Sequence, residues 1–389
     1  MTRLALLIAL AASGALASGC ATVRLGPDAT GTAPAAVAPE AVEAGRRLFP
    51  ARLGERWGYI DASGAPAIGA RFDDAQPFSE GRAGVRVGSA WGYIDPAGAF
   101  VVVPEYASVF PFENGRGRVV AGTGREALVG FVGPDGAAVV RPSLAEALNA
   151  GPGGVVVARA PVARVPLGID VLRGLGLAAP GLTPWLVLGA DGRTLAEARA
   201  VTLLAFGDAG DDAGGGRVLA PFRAAGAVPG VAGAWGFVDA AGAVAVAPQF
   251  RNAAPFSEGR ARVSDRSRFG FADGTGAVVI PLRYEQADSF SEGLAAVRDA
   301  GVWGFVRPDG TTAIAPRFEA ARGFTEGLAA VKENGLWGYV RPDGTAAIAP
   351  RFAEAAPFHG ALARVTENGA AAYVDASGRV VWREAPPAP

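Results

Sequence analysis

Apolar and polar positions alternate in short stretches that return at a fixed step along most of the chain. In residues 303–306, which read Trp-Gly-Phe-Val, the two aromatic side chains point to one face and the other two residues to the opposite face. This is the two-residue period of a β-strand. Similar stretches follow at 313–315 and 328–331, separated by segments that contain Gly or Pro. The pattern predicts three short strands per repeat, joined by tight turns.

The Trp-Gly strand recurs at a step of 34 residues, from 57 to 91 and again from 303 to 337. Weaker copies at Val129 and Trp185 keep the turn glycine seven residues later. With these copies the chain holds about ten units over residues 46–384, and the repeat degenerates over 145–230. The motif positions are Trp57, Gly58, Trp91, Gly92, Trp235, Gly236, Trp303, Gly304, Trp337 and Gly338.

Units of this length cannot bury an apolar face alone, so neighbouring units must stack. The sequence therefore predicts an all-β array of about ten three-stranded units in an open curved solenoid. A closed propeller-like ring is the alternative, because the phase of a repeat does not show whether its ends meet. The tryptophans are predicted to belong to the repeat core, and each motif glycine to admit a neighbouring backbone or ring.

This pattern resembles the WG-repeat family, a bacterial group defined by a recurring Trp-Gly motif followed by Gly, a Pro-aromatic pair and a Phe-x-Glu-Gly element. The last element reads Phe-Thr-Glu-Gly at 324–327, and the resemblance covers residues 46–384. It implies an all-β repeat structure and brings no shared catalytic residues.

The amino terminus has the pattern of a secretory signal. Residues 1–19 contain Arg3, an apolar stretch and small residues before Cys20. This end resembles the bacterial lipobox, in which the cysteine is acylated, and Ala21 and Thr22 after it favour the outer membrane. Residues up to 45 are rich in Ala and Pro and predict a flexible tether, and 385–389 form a tail. We expect a lipid-anchored protein of the cell envelope, facing the periplasm or the exterior.

Charge and residue counts exclude several function classes. The net charge is −1 and the basic residues are dispersed, so neither nucleic acid nor an anionic membrane surface is an expected partner. His359 is the only histidine and Cys20 the only cysteine, which argues against a nucleophilic triad and a zinc site. We expect no catalytic residue, metal or cofactor, and we interpret His359 as an exposed loop residue.

The most regular polar feature is a row of glutamates at one position of the repeat. The row consists of Glu80, Glu258, Glu292 and Glu326. We interpret each carboxylate as an acceptor for backbone N–H groups of its own turn, with an edge that binds a cation or a basic ligand as the alternative. The acidic, Gly-rich stretch 207–216 lacks the spacing of a calcium loop and is interpreted as a mobile surface loop.

These observations favour a membrane-anchored extracytoplasmic binding or scaffold module that presents a β-repeat surface to a protein or polysaccharide partner. A carboxylate-dependent hydrolase of cell-wall glycan and a passive envelope spacer are the alternatives. We expect no enzymatic activity.

Overall fold

The repeat folds into small antiparallel sheets, each built from strands that follow one another in the chain. A computed structural model of the protein describes residues 47–149, 151, 156–159, 185–188, 191–198, 202–204, 207–209, 218–223, 234–239 and 243–385. This part contains nine sheets, no α-helix and one 3-10 turn at Gly124–Glu126. None of its helical segments has the length and apolar character needed to cross a bilayer. The predicted all-β repeat array is confirmed.

The sheets succeed one another along the chain, and no strand leaves the sheet of its sequence neighbours. Sheet 1 contains β1 (Leu48–Leu53), β2 (Arg56–Asp61) and β3 (Pro66–Phe72); sheet 2 contains β4 (Asp74–Ala75), β5 (Ala83–Val87), β6 (Ala90–Ile94) and β7 (Phe100–Tyr106); sheet 3 contains β8 (Ser108–Glu113), β9 (Arg116–Ala121), β10 (Leu128–Val132) and β11 (Ala138–Leu144). Sheet 4 contains β12 (Glu146–Ala147), β13 (Val156–Arg159), β14 (Trp185–Leu188) and β15 (Thr194–Ala198); sheet 5 contains β16 (Thr202–Leu203), β17 (Gly207–Asp208), β18 (Val218–Arg223), β19 (Trp235–Asp239) and β20 (Val244–Phe250). Sheet 6 contains β21 (Asn252–Ser257), β22 (Arg260–Ser264), β23 (Phe269–Ala272) and β24 (Val278–Tyr284); sheet 7 contains β25 (Gln286–Ala287), β26 (Ala295–Asp299), β27 (Val302–Val306) and β28 (Thr312–Phe318). Sheet 8 contains β29 (Ala320–Ala321), β30 (Ala329–Glu333), β31 (Leu336–Val340) and β32 (Ala346–Phe352); sheet 9 contains β33 (Glu354–Ala355), β34 (Leu362–Glu367), β35 (Ala370–Asp375) and β36 (Val380–Arg383).

Most sheets have four strands, one more than the sequence pattern predicts. In sheet 7 the additional strand is β25, whose Gln286 pairs with Arg298 and whose Ala287 pairs with Val297. A strand of two residues has no detectable period, and for that reason the sequence pattern assigns it to a loop. The described part of the chain holds nine sheets, where the sequence predicts about ten units.

The motif glycine faces a bulge in its own sheet. Trp303 of β27 pairs with Phe318 of β28, whereas Phe305 pairs with Ile314, so β28 carries extra residues between these two pairs. A Cβ atom on Gly304 would lie 2.6 Å from the carbonyl oxygen of Ile314, too close for any side chain. The glycine of the motif is therefore required by the bulged outer strand.

Each apolar core lies between two neighbouring sheets. Phe305 of sheet 7 is fully buried, and its ring centroid lies 4.9 Å from that of Phe324, in the loop that precedes β30 of sheet 8. Each described glycine in the turn between the last two strands of a sheet packs against the outer strand of the preceding sheet, as Gly344 does against Ile314. The same ring contact recurs in the pairs Tyr59–Phe78, Tyr93–Phe112, Phe237–Phe256, Phe271–Phe290 and Tyr339–Phe358.

Sheets 9 and 1 are also neighbours, and we call their contact the seam. The ring centroids of Phe49 and Tyr373 are 5.5 Å apart, and the Tyr373 hydroxyl donates a hydrogen bond of 3.0 Å to the carbonyl oxygen of Pro50. Gly64 in the turn of sheet 1 packs against Val381 of sheet 9, the contact made at every other such interface described. Sheet 9 thus contacts sheet 1 as well as sheet 8.

Several predicted segments lie outside the described residues. They are the signal peptide at 1–19, Cys20, the tether up to 45, and most of the 207–216 stretch. The degenerate middle region, 145–230, is described only in part, as sheet 4 and the first strands of sheet 5.

Candidate functional site

The motif tryptophans lie at the margins of the cores. Trp337 is 8% exposed, and the indoles of Trp57, Trp91, Trp235 and Trp303 are partly buried against their core clusters. In these five sheets the fully buried ring is the Tyr or Phe two residues after the tryptophan. The indoles therefore pack on the repeat core, and each comes from a different sheet.

The predicted row of glutamates occupies the tight turns between the first and second strands of four sheets. In the turn of sheet 7, Ser291 and Leu294 exchange two backbone hydrogen bonds of 3.0 and 3.2 Å. The two residues between them, Glu292 and Gly293, have φ angles of 53° and 77°. A positive φ at both central positions defines the type I′ hairpin, a conformation that glutamate adopts only at a cost.

Each of these carboxylates binds the turn of the next sheet. Glu292 accepts backbone N–H groups of Glu326 and Gly327 in sheet 8, at 2.6 and 2.8 Å. Equivalent bonds join sheet 2 to sheet 3, sheet 6 to sheet 7 and sheet 8 to sheet 9. The donors are backbone N–H groups, as the sequence predicts, but they belong to the following repeat. Two charge-assisted bonds offset the cost of the positive φ and tie neighbouring sheets together.

His359 makes a similar connection across the seam. In sheet 7 the residue before Glu292 is Ser291, whose hydroxyl donates to the carbonyl of Phe324 at 2.7 Å. The equivalent serines of sheets 2 and 6 form the same bond. His359 has this position in sheet 9, and its Nε2 lies 3.0 Å from the carbonyl oxygen of Phe78 in sheet 2. His359 is exposed, as predicted, yet it has a partner.

A cleft of about 290 Å³ opens at the seam. Most of its walls are apolar, and they include Leu48, Phe49, Pro50, Ala75, Pro357 and Tyr373. Trp57, His359 and Arg364 bring an indole, an imidazole and a guanidinium group to the same cleft. Burial raises the pKa of Tyr373 to about 12, so its hydroxyl remains protonated and continues to donate to Pro50 at neutral pH.

The other candidate residues do not converge on this cleft. The glutamates are engaged by backbone N–H groups in separate turns, and no group of three His, Cys, Asp or Glu side chains in the described ranges could hold a metal ion. The sequence does not reveal the cleft because it joins residues from both ends of the chain. One signal is present, since His359 replaces a serine or threonine at its repeat position.

Comparison with known proteins places the repeat in a family. A family profile described as "WG containing repeat" matches residues 57–89, 91–122, 235–266, 269–302, 303–337 and 337–369. No curated protein matches the sequence significantly. Among solved structures, apo AztD from Citrobacter koseri is 12% identical with a TM-score of 0.38, over 87% of this chain and 94% of that one. Dipeptidyl peptidase 4 of Porphyromonas gingivalis is 10% identical with a TM-score of 0.47, over 89% of this chain and 60% of the other.

Proposed function

The chain belongs to the family of WG-containing repeat proteins, and from this premise we propose that it is a membrane-anchored binding or scaffold protein that holds a protein partner at its seam cleft. Its other described inter-sheet contacts follow the repeat, with aromatic pairs and turn glycines at equivalent positions. The seam keeps the turn-glycine contact, through Gly64, but its aromatic pair, Phe49–Tyr373, does not follow the repeat, and sheet 1 has three strands within the described residues. A binding site is therefore best sought at this position.

The single observation that carries the proposal is the cleft itself. It is concave and mostly apolar, and it contains a few polar groups, which is the usual composition of a binding pocket. Its volume of about 290 Å³ suits a short stretch of polypeptide or a few side chains. Its mostly apolar walls favour the apolar side chains of a protein over the hydroxyl groups of a polysaccharide.

The location of the partner follows from the proposed anchor. A signal sequence that ends at Cys20, followed by an Ala- and Pro-rich stretch, supports attachment to the envelope through a lipid and a tether. The partner would then be a protein of the same envelope. The proposal includes no catalytic step.

Site-specific photo-crosslinking in native envelopes tests this function. A photoreactive amino acid replaces Pro77, which lines the cleft, and in a matched control it replaces Pro111, the same repeat position in sheet 3. Both prolines are exposed. We expect a defined protein to be crosslinked from position 77 and not from position 111. The same labelled proteins from both positions, or none from either, would contradict a binding role for the seam.

A further inference from the structure

The sequence contains three Asn-Gly pairs, and a glutamate precedes each of them. They are Asn114-Gly115, Asn334-Gly335 and Asn368-Gly369. In such a pair the backbone nitrogen of the glycine can attack the asparagine amide, because glycine has no side chain that hinders a close approach. The nitrogen must lose its proton before it attacks. The structure separates the three pairs by what holds this N–H group.

Two of the pairs form the same turn in neighbouring sheets. Asn334-Gly335 joins β30 to β31, with φ angles of 51° and 78°, and Asn368-Gly369 joins β34 to β35, with φ angles of 53° and 78°. All four residues are exposed. A Cβ atom on either glycine would meet no described atom within 4 Å beyond its chain neighbours. The two turns therefore match in backbone shape and in access to solvent.

A carboxylate distinguishes these two turns. The N–H group of Gly335 donates to the two oxygens of Glu319, at 3.2 and 3.1 Å. The equivalent bond in sheet 7 runs from Gly301 to Glu285 at 3.1 Å. Removal of the proton would leave an anionic nitrogen, and a negative charge at this distance opposes that step. Glu319 therefore protects Asn334 from attack.

Sheet 9 lacks this carboxylate, because Ala353 holds the position of Glu319. The backbone frame is the same in both sheets. The N–H of Ala353 donates to the carbonyl of Thr366 at 2.8 Å, as that of Glu319 donates to the carbonyl of Lys332 at 2.9 Å. Among the described residues the N–H of Gly369 has no acceptor.

The third pair lies in a different turn, between β8 and β9, and a carboxylate holds it as well. Glu80 accepts the backbone N–H groups of Asn114 and Gly115, at 2.8 and 2.7 Å. Asn368 is thus the one asparagine of the three whose following N–H group faces no described carboxylate.

We propose that Asn368 is a site of spontaneous deamidation in the folded protein, and that carboxylates protect Asn334 and Asn114 from the same reaction. The nitrogen of Gly369 loses its proton and forms a bond to Cγ of Asn368. The side-chain nitrogen leaves with that proton as ammonia, and a five-membered succinimide remains. Water then opens the ring at either carbonyl, which gives aspartate or isoaspartate. The reaction consumes one water, releases one ammonia and needs no cofactor.

The products alter the charge and the backbone of this hairpin. Glu367, the residue before Asn368, pairs with Arg351 at 3.3 Å and with Arg383 at 2.5 Å. Either product adds a negative charge beside these groups. Isoaspartate also lengthens the main chain by one atom within a two-residue turn, whose length sets the pairing of the two strands.

Peptide mapping by mass spectrometry tests the proposal at all three sites in one sample. The full chain is incubated at mildly alkaline pH, sampled over time and digested in acid, which stops the reaction. We expect Asn368 to convert about tenfold faster than Asn334 and Asn114, the scale of one unit charge at this distance in water. In guanidinium chloride the three rates should converge, because the Glu-Asn-Gly sequence is shared.

A reciprocal exchange between the two matched turns identifies the cause of the difference. Glu319→Ala gives sheet 8 the residue of sheet 9, and it should raise the rate at Asn334 about tenfold and leave Asn368 unchanged. Ala353→Glu should slow Asn368 by a similar factor and leave Asn334 unchanged. Both substituted residues are exposed, and each variant serves as the control for the other.

Three results would overturn the proposal. The first is an equal rate at Asn334 and Asn368 in the folded parent protein, which decides the matter even if a variant does not fold. The second is a difference that persists in guanidinium chloride, because it would then arise from sequence and not from the fold. The third is slower conversion of Asn334 in Glu319→Ala, since the carboxylate would then assist the attack as a base.

Discussion

Removal of one hydroxyl group tests whether the seam persists in solution. The Tyr373 ring is 6% exposed, and its hydroxyl donates to the carbonyl of Pro50 across the seam at 3.0 Å. Tyr373→Phe leaves the ring contact with Phe49 in place and deprives a buried carbonyl of its donor. A lost neutral hydrogen bond of this kind costs about 1 to 2 kcal/mol of the free energy of unfolding. We expect a loss of that size in equilibrium urea denaturation followed by tryptophan fluorescence.

The matched control is the same substitution at an interface inside the array. Tyr339 of sheet 8 donates to the carbonyl of Ala356 in the first-strand segment of sheet 9 at 2.7 Å. Tyr339→Phe removes an equivalent bond, so the two variants should lose stability to a similar extent. If Tyr339→Phe is destabilised and Tyr373→Phe unfolds like the parent protein, sheets 9 and 1 are apart in solution, and the closure inferred from this contact is refuted.

Other parts of the fold and of the sequence lead to four more predictions. Glu292→Ala removes two hydrogen bonds to the next sheet and should lower the free energy of unfolding by about 1 to 2 kcal/mol in the same denaturation assay. The carboxylate of Glu354 is exposed, so Glu354→Ala should stay within about 0.5 kcal/mol of the parent protein. Gly304→Val forces a side chain against the bulged outer strand and should lower the free energy of unfolding by about 3 kcal/mol or more, or prevent the protein from folding. Burial raises the pKa of Tyr373 to about 12, so the stability it contributes is fully present below about pH 10 and should be lost as the pH rises from 10 to 12; an unfolding midpoint unchanged over that range would contradict this. Mass spectrometry of the native protein should find an acylated amino terminus at Cys20, and a chain that starts at Met1 would disprove the anchor.

The sequence predicts the strands better than the number of strands in a sheet. The pattern predicts strands at 303–306 and 328–331, and the structure has β27 at Val302–Val306 and β30 at Ala329–Glu333. These strands are long enough to show a two-residue period. The two-residue first strands, such as Gln286–Ala287, are too short for this, and only their pairing in three dimensions identifies them.

The candidate site is less accessible to sequence reasoning, since it depends on which repeats become neighbours. The repeat phase shows that Arg364 shares a position with Arg118 and Arg262, but it does not show that Arg364 lies beside sheet 1. The contact of His359 with Phe78 joins residues 281 positions apart. No local pattern encodes such a pair. Spacing alone locates the row of glutamates, whereas their partners in the adjacent repeat are evident only in the structure.

The seam also has a consequence for the order in which the chain folds. The hydrogen bond from Glu292 to the next turn joins residues 34 apart, whereas the bond between Tyr373 and Pro50 joins residues 323 apart. Loop-closure entropy grows only with the logarithm of loop length, so the long closure costs about 2 kcal/mol more than the short one. Because contacts between near neighbours form faster, folding should propagate from repeat to repeat and close the seam last. Until that final step the two terminal sheets expose apolar faces, so a partly folded chain is at its greatest risk of aggregation immediately before closure.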